Sequence, residues 1–294
     1  MAVLGTGNAN GGCSLLHAAG LGYGASLALN LPVKVRLLDK QSKRTFDDPD
    51  GLLKAVLDCW KNVGLKVPDG DLYWSVNSKV PPRQGLKSSA AVSVAAIKAL
   101  CDATDIELEN ADIVDISAAA QLAAGVSLTG SYDDSWAATE GGWKLIDSNA
   151  ADARSGLLLE AIGPSSEDWT VLIVLRGDRT EMPKLEDFTL HQQAFSQALN
   201  ALQDGKDLVA LTLNGRGVVG ALNDKDGRIM TNDAFVNGAR AAGISGSGPA
   251  IVIFVPTISK PSIERIIRSY EILPDVEIIE TSVKNAQFNN LDEE

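Results

Sequence analysis

The chain has little of what metal centres, disulfide frameworks and nucleic-acid surfaces are made from. Cysteine occurs three times in 294 residues, at 13, 59 and 101. An odd number with no C-x-x-C pair argues against zinc ribbons and thioredoxin-like redox chemistry, and fits reduced thiols in a cytoplasmic protein. Cys101, near the end of a helical pattern, reads as a buried small apolar residue. There are two histidines, His17 and His191, in no metal spacing with each other. His191 falls in a polar helix and reads as a surface residue. Basic residues number 26 against 38 acidic ones, a net charge of −12. A basic face for nucleic acid is therefore not expected. An anionic metabolite would have to be held by backbone N–H groups, helix N-termini and a few placed cations.

A spanning helix is also missing. Residues 15–33, "LLHAAGLGYGASLALNLPV", carry no charged side chain. Glycines, Asn30 and Pro32 break the run, and no basic segment precedes it, so it reads as buried structure near a site and not as a membrane or targeting segment. What is present is the composition of an ordinary globule: 45% hydrophobic and 22% charged residues. The length suits two domains.

The periodicities supply the elements. Strands are expected at 25–29 and 33–38, as neighbours around Asn30 and Pro32, and again at 71–79. Helices are expected at 49–63, from Ser88 to Cys101 and from Asn110 to Gly125. "WKLID" begins a hairpin after Gly141-Gly142. The texture changes near Gly163-Pro164, where a domain boundary is placed, giving 1–162 and 163–294. Beyond it come a buried strand at 169–176 and helical pieces over 183–222, broken near Asn200 and Gly205. A helix at 231–242, a strand at 250–255, a helix at 260–270 and a strand at 276–280 complete the chain. Strands and helices alternate in both halves, so the class is α/β or α+β.

Four stretches carry candidate chemistry. "PPRQGLKSSAA" (81–91) misses the G-x-x-x-x-G-K-[ST] signature because Leu86 stands where glycine should precede Lys87. Gly85 can adopt φ > 0, and Ser88 or Ser89 can cap the helix that follows. The small residues beyond leave that helix's N-terminus open to an anion, and Lys87 adds a charge; a plain capped helix fits equally well. "AAGISGSGPA" (241–250) places Gly243, Gly246 and Gly248 at a helix-to-strand junction, either to wrap a phosphate or to pack against another loop. "TGSYDDSWAATEGG" (129–142) sets Asp133 beside Asp134, as a proton acceptor in phosphoryl transfer or as favourable charge at a helix start. "NDKDGRIMTND" (223–233) fails as a calcium loop, since Leu222 occupies the first ligand position, and a turn is expected at Asp226-Gly227.

Three of these segments occur in one order: P-x-x-G-L-x-S-S-A-A, an Asp seven residues before Gly-Gly, then S-G-S-G-P-A. Together they resemble the GHMP kinase superfamily over most of the chain. "GLKSS", "TGSYDD" and "ALTLNG" (210–215) resemble its archaeal-type shikimate kinase branch in particular. The resemblance implies an α+β, two-domain GHMP kinase fold, with an N-terminal domain like ribosomal-protein S5 domain 2 and a ferredoxin-like C-terminal domain. It implies ATP and Mg²⁺ as cofactors and shikimate as the small-molecule partner, with no nucleic acid or membrane.

The same resemblance assigns roles. Pro82, Arg83, Gln84, Gly85, Leu86, Lys87, Ser88, Ser89, Ala90 and Ala91 would cradle the ATP phosphates, with Ser89 near the metal. Gly246, Ser247 and Gly248 would complete the phosphate wall. Asp134 would be the catalytic carboxylate, with Asp133 as the alternative and Lys87 assisting. Ser14 and His17 would help hold the acceptor, and Arg179 would meet its carboxylate. "CSLLHAAG" and the missing third serine in "SAAVSV" depart from the branch and bear on the acceptor. Another small hydroxy acid, such as homoserine or a mevalonate-type acid, is the alternative substrate, and a non-catalytic metabolite binder is the alternative class.

Overall fold

The computed structural model describes residues 2–42, 48–130, 132–177 and 183–287. Two antiparallel sheets organise it. The first joins β1 (Val3–Leu16), β2 (Tyr23–Leu38), β4 (Trp143–Asp147) and β5 (Leu157–Ala161) in that order, with β3 (Tyr73–Ser78) pairing along the far half of β2. Helices α1 (Leu52–Asn62), α2 (Ser88–Thr104), α3 (Asn110–Ala123) and α4 (Asp133–Glu140) accompany it. The second sheet runs β7 (Ala241–Ile244), β8 (Ile251–Pro256), β6 (Trp169–Leu175), β9 (Glu277–Thr281). It is accompanied by α5 (Leu185–Thr189), α6 (Gln192–Gln203), α7 (Asp207–Ala221), α8 (Lys225–Val236) and α9 (Lys260–Glu271). All strand pairs are antiparallel, so the class is α+β. No described helix is long and apolar enough to cross a membrane.

Small residues set how closely α2 lies on β1. A Cβ on Gly5 would come within 2.2 Å of the Ala99 carbonyl oxygen, and one on Gly7 within 2.0 Å of that of Ala95. Both obstacles are backbone, so neither can step aside. Glycine on alternate positions of the strand thus meets alanine on successive turns of the helix, and the two backbones touch. Further along the same strand, the Gly12 N–H donates to the Leu86 carbonyl at 3.1 Å. The chain just before α2 is thereby pinned to β1.

Several elements depart from the sequence expectation. The two strands around Asn30 and Pro32 are one, β2, running through the proline. Its partners change there: residues 23–27 pair with β4 and 33–38 with β3. Pro32 therefore sits at a changeover where a missing N–H costs little, and its carbonyl accepts from Lys79. Asn200 lies inside α6, while Gly205 (φ +69) does end it. The helix expected at 231–242 begins earlier, because Asp224 caps it by accepting from the Gly227 N–H at 2.8 Å; Asp226-Gly227 is the first helical turn and not a free turn. Residues 241–244 are strand. His191 is half-buried with its ring against Gly220, and Cys101 is half-buried rather than enclosed.

The seam between α2 and β1 can be tested by adding one methyl group. Gly7→Ala is expected to cost about 3 kcal/mol in urea unfolding, as overpacking against fixed backbone. Gly64→Ala, at φ +80 with nothing within 4 Å, isolates the conformational cost and should lose only about 1 kcal/mol.

Candidate active site

α2 begins without the serine cap that its sequence suggests. Lys87 holds the N-cap position in the left-handed region (φ 66), and no side chain accepts from the first turn. Ser88 and Ser89 lie inside the helix. The first helical hydrogen bond runs from the Ala91 N–H to the Lys87 carbonyl. The N–H groups of 88–90 are therefore not used by the helix, at the positive end of a 17-residue dipole. Ala90 and Ala91 are buried against the body of the protein. So is Leu86, at 1% exposure: the residue that breaks the Walker signature is a core residue that anchors the loop.

The left-handed turn at Lys87 directs its side chain inward. Its Nζ lies 2.8 Å from Asp134 Oδ1 and 2.7 Å from Ser14 Oγ. The lysine side chain is 8% exposed and the aspartate 32%. Burial alone would lower the Lys87 pKa, but the charges of Asp134 and Asp133 outweigh it and raise it. Burial alone would raise the Asp134 carboxyl, but the Lys87 ammonium and hydrogen bonds from Lys87 and Ser26 hold it below the usual range. Both groups stay charged across neutral pH. Lys87 and Ser26 both use Oδ1 of Asp134.

The hairpin turn between β7 and β8 closes the site from the second sheet. Of the glycines expected at a helix-to-strand junction, Gly246 and Gly248 lie in this strand-to-strand turn and Gly243 lies in β7. Ser245 Oγ donates to the Gly85 carbonyl at 2.8 Å, and the Gly246 N–H donates to Ser14 Oγ at 3.2 Å. A Cβ on Gly85 (φ +76) would stand 2.1 Å from the Ser245 carbonyl oxygen. So the two glycine loops face one another. Ser247 Oγ lies 3.2 Å from His17 Nε2. His17 Nδ1 accepts from the Ala19 N–H, which leaves the proton on Nε2. Gly248 donates to the Ser245 carbonyl within the turn. Arg176 holds the turn's far side, donating to the Pro249 carbonyl at 2.8 Å and pairing with Asp224.

Of the sequence candidates, the structure brings together Ser14, His17, Gly85, Lys87, Asp133, Asp134, Gly246 and Ser247. Arg83 (φ 59) and Gln84 shape the loop, and Gln84 donates to the Gly177 carbonyl at 2.9 Å. Ser89 Oγ donates to Gln121 Oε1 at 3.0 Å. Pro82 is an exposed turn residue. Arg179 lies outside the described residues. Three groups escaped the sequence reading. Ser26, wholly buried in β2, places its Oγ 2.7 Å from both Asp133 Oδ2 and Asp134 Oδ1. Ser245 bridges the loops. Asn214, in "ALTLNG", accepts from the His17 N–H at 2.8 Å from inside α7. A buried polar residue within an apolar run was the available signal for Ser26 and Asn214.

Residues 51–142 match the GHMP kinases N terminal domain. The chain is 32% identical over 216 residues to a protein named shikimate kinase from Methanothermobacter thermautotrophicus, covering 71% of this chain and 70% of that one. A shikimate kinase from Methanobrevibacter smithii is 25% identical over 94% of this chain and 95% of its own. Among solved structures, the mevalonate kinase of Methanococcus jannaschii superposes with a TM-score of 0.74 at 16% identity, covering 95% and 98% of the two chains. A putative homoserine kinase from Listeria monocytogenes gives 0.65 at 18%, covering 96% and 97%. These structural likenesses establish the fold. A helix N-terminus flanked by a buried lysine–aspartate pair, on this fold, defines a small-molecule kinase of the GHMP class. Within that class, the chain belongs to the family of the archaeal shikimate kinases.

The ion pair predicts a pH signature. A depressed Asp134 stabilises the fold above the unfolded carboxylate pKa, and that contribution is lost as pH falls through the folded value. A raised Lys87 stabilises below its unfolded pKa and loses this as pH rises through its folded value. Asp134→Asn should therefore lower the urea midpoint at pH 7, with the deficit shrinking below about pH 5. A deficit constant from pH 7 to pH 3 would contradict the pair.

Proposed function

We propose that the protein transfers the γ-phosphoryl group of ATP to the 3-hydroxyl of shikimate, giving shikimate 3-phosphate and ADP. The observation that carries the reading is the Lys87–Asp134 pair set at the open N-terminus of α2. Shikimate as the acceptor is supported by the likeness to relatives that bear that name. The enzyme is placed in the cytoplasm, and lobes 1–162 and 163–294 each supply one wall of the site.

The phosphates are received by the N–H groups of residues 88–90, with Gly85, Arg83 and Gln84 behind them and the Gly246–Gly248 turn opposite. Lys87 has three ammonium hydrogens. Asp134 and Ser14 take two in the structure, and the third is left for a phosphate oxygen. Phosphoryl transfer proceeds through a loose transition state, so the acceptor hydroxyl loses its proton late and a weak base suffices. Asp134, ionised and partly exposed, fits that task through Oδ2. Ser14 and His17 line the acceptor side, and Arg179 is proposed to meet the carboxylate.

Mg²⁺ is compatible with this donor set. Among the described residues no cluster of three or more acidic, histidine or cysteine side chains could cage a metal. We assign the ion to phosphate oxygens and water, with Ser89 as its protein ligand. When bound, it supplies neutralising charge to the phosphate oxygens.

A coupled ADP-release assay on shikimate, homoserine, mevalonate and related hydroxy acids tests the substrate. Turnover confined to shikimate is expected; turnover on another acid, or none on any, would overturn the assignment. Asp134→Asn should lower kcat by at least about 100-fold, and near wild-type turnover in folded mutant would remove Asp134 from catalysis. Lys87→Ala should weaken phosphate binding or turnover by a comparable factor.

A further inference from the structure

One face of α7 is not spent on the protein core. Val209, Thr212, Leu213 and Arg216 stand at i, i+3, i+4 and i+7, so they form one stripe along the helix. Phe235 of α8 and Arg240, just before β7, close that stripe into a cavity of about 260 Å³. The Arg240 backbone is fixed there, its N–H donating to the Phe254 carbonyl at 2.8 Å. The lining is split in character. Val209, Leu213 and Phe235 are apolar, Thr212 brings a hydroxyl, and both charges are positive. Among the described residues no acidic side chain lines it. Arg154, Arg176 and Arg268 each pair with a carboxylate elsewhere in the fold. Among the described residues, Arg216 and Arg240 have no such partner.

We propose that this cavity is a second ligand site, separate from the one at Lys87, for a small carboxylic acid with an apolar body: the carboxylate lies between Arg216 and Arg240, and the body rests on Leu213 and Phe235. The chain has an excess of acids, 38 against 26 basic residues, yet supplies none to these two guanidiniums. The planar guanidinium fork matches a carboxylate with two parallel hydrogen bonds. The apolar floor selects against a bare inorganic ion, which would lose hydration there and gain no contact in return. The volume lies below the ~300 Å³ at which pockets for drug-sized ligands begin, so the acid is compact. A second copy of the chain fits poorly. A two-fold contact sets a patch against itself and would gather the arginines of both copies with no acid from the patch between them. The place in the fold gives such a ligand a route to the chemistry. Asn214, on the opposite face of the same helix, accepts from the His17 N–H at 2.8 Å. Gly215 abuts Gly243 of β7, which runs on into the Ser245–Gly248 turn. An occupant of the outer face therefore leans on the helix and strand that frame the active site, without touching Lys87 or Asp134.

Calorimetric titration of the full chain with 3-phenylpropionate tests the site, whichever acceptor the enzyme phosphorylates. One saturable site is expected. Acetate, which lacks the ring, and 3-phenylpropan-1-ol, which lacks the charge, should each bind about tenfold more weakly or worse. That series uses wild-type protein and needs no variant to fold. Arg216→Ala and Arg240→Ala, both at exposed positions, should each weaken the probe by about tenfold, and the double variant should abolish binding. Turnover without the probe should stay at the wild-type level in all three. No saturable binding to wild type, equal binding of acetate or the alcohol, or undiminished binding in the double variant overturns the proposal. A self-associated species in sedimentation that Val209→Ser dissociates would give the stripe to a second copy, and overturns it as well.

Discussion

The approach of α2 to β1 is the constraint from which the site follows. A helix on a sheet ordinarily keeps its backbone a side chain away from the strand. Here Gly5 and Gly7 remove the side chains, and α2 rests on β1 directly. That fixes how high its N-terminus stands over the strand. The loop before it is tied to the same strand through Leu86 and Gly12. The lysine at the cap can therefore meet Ser14 of β1 and Asp134 of α4 at hydrogen-bond distance. A looser seam would leave a buried ammonium short of its partner, and an uncompensated buried charge destabilises by several kcal/mol. Packing and electrostatics are thus one requirement: close contact is what makes the buried pair tolerable.

The second sheet reaches this arrangement through hydrogen bonds rather than through large side chains. Ser245, Gly246 and Ser247 contact Gly85, Ser14 and His17, and Asn214 of α7 fastens the end of β1. Arg176 and Asp224 brace the turn from behind. Residues from both sheets therefore share the small polar surface around Ser14, whose hydroxyl accepts from Lys87 on one side and Gly246 on the other. Movement of either loop would be registered at the lysine.

Much of this was legible in the sequence where one residue type has one physical use. Gly85 was marked by its need for φ > 0, and Asp134 by its place at a helix start before two glycines. The helices and buried strands followed from their periodicity. Other features were hidden because local chemistry permits two outcomes. Serine is a good cap, so Ser88 and Ser89 suggested one, yet the close packing of α2 put Lys87 there in a strained conformation instead. Proline usually ends a strand, but a strand that exchanges partners has room for it, and the exchange is a long-range fact. Alanine and glycine at 241–244 fit helix or strand, and only pairing with β8 decides. Ser26 carried only the mark of a polar residue in an apolar run; its meaning comes from two carboxylates more than 100 residues away.

The glycine pair after α4 has a use beyond marking the distance to Asp134. The Gly142 N–H donates to the Lys284 carbonyl, the Lys284 N–H donates to the Ala28 carbonyl, and the Ala28 N–H donates to the Gly142 carbonyl. A Cβ on Gly141 would press on the carbonyls of Lys284 and Asn285 at 2.9 Å. Residues 282–286 are thus laced between β2 and the end of α4. During synthesis the first sheet leaves the ribosome well before this segment exists. The groove beside Leu29 and Gly142 is filled by this later segment, which also bridges to Leu29 through Val283. The strand that bears Ser26 and the end of the helix that bears Asp134 are therefore held together by a segment remote from both in sequence.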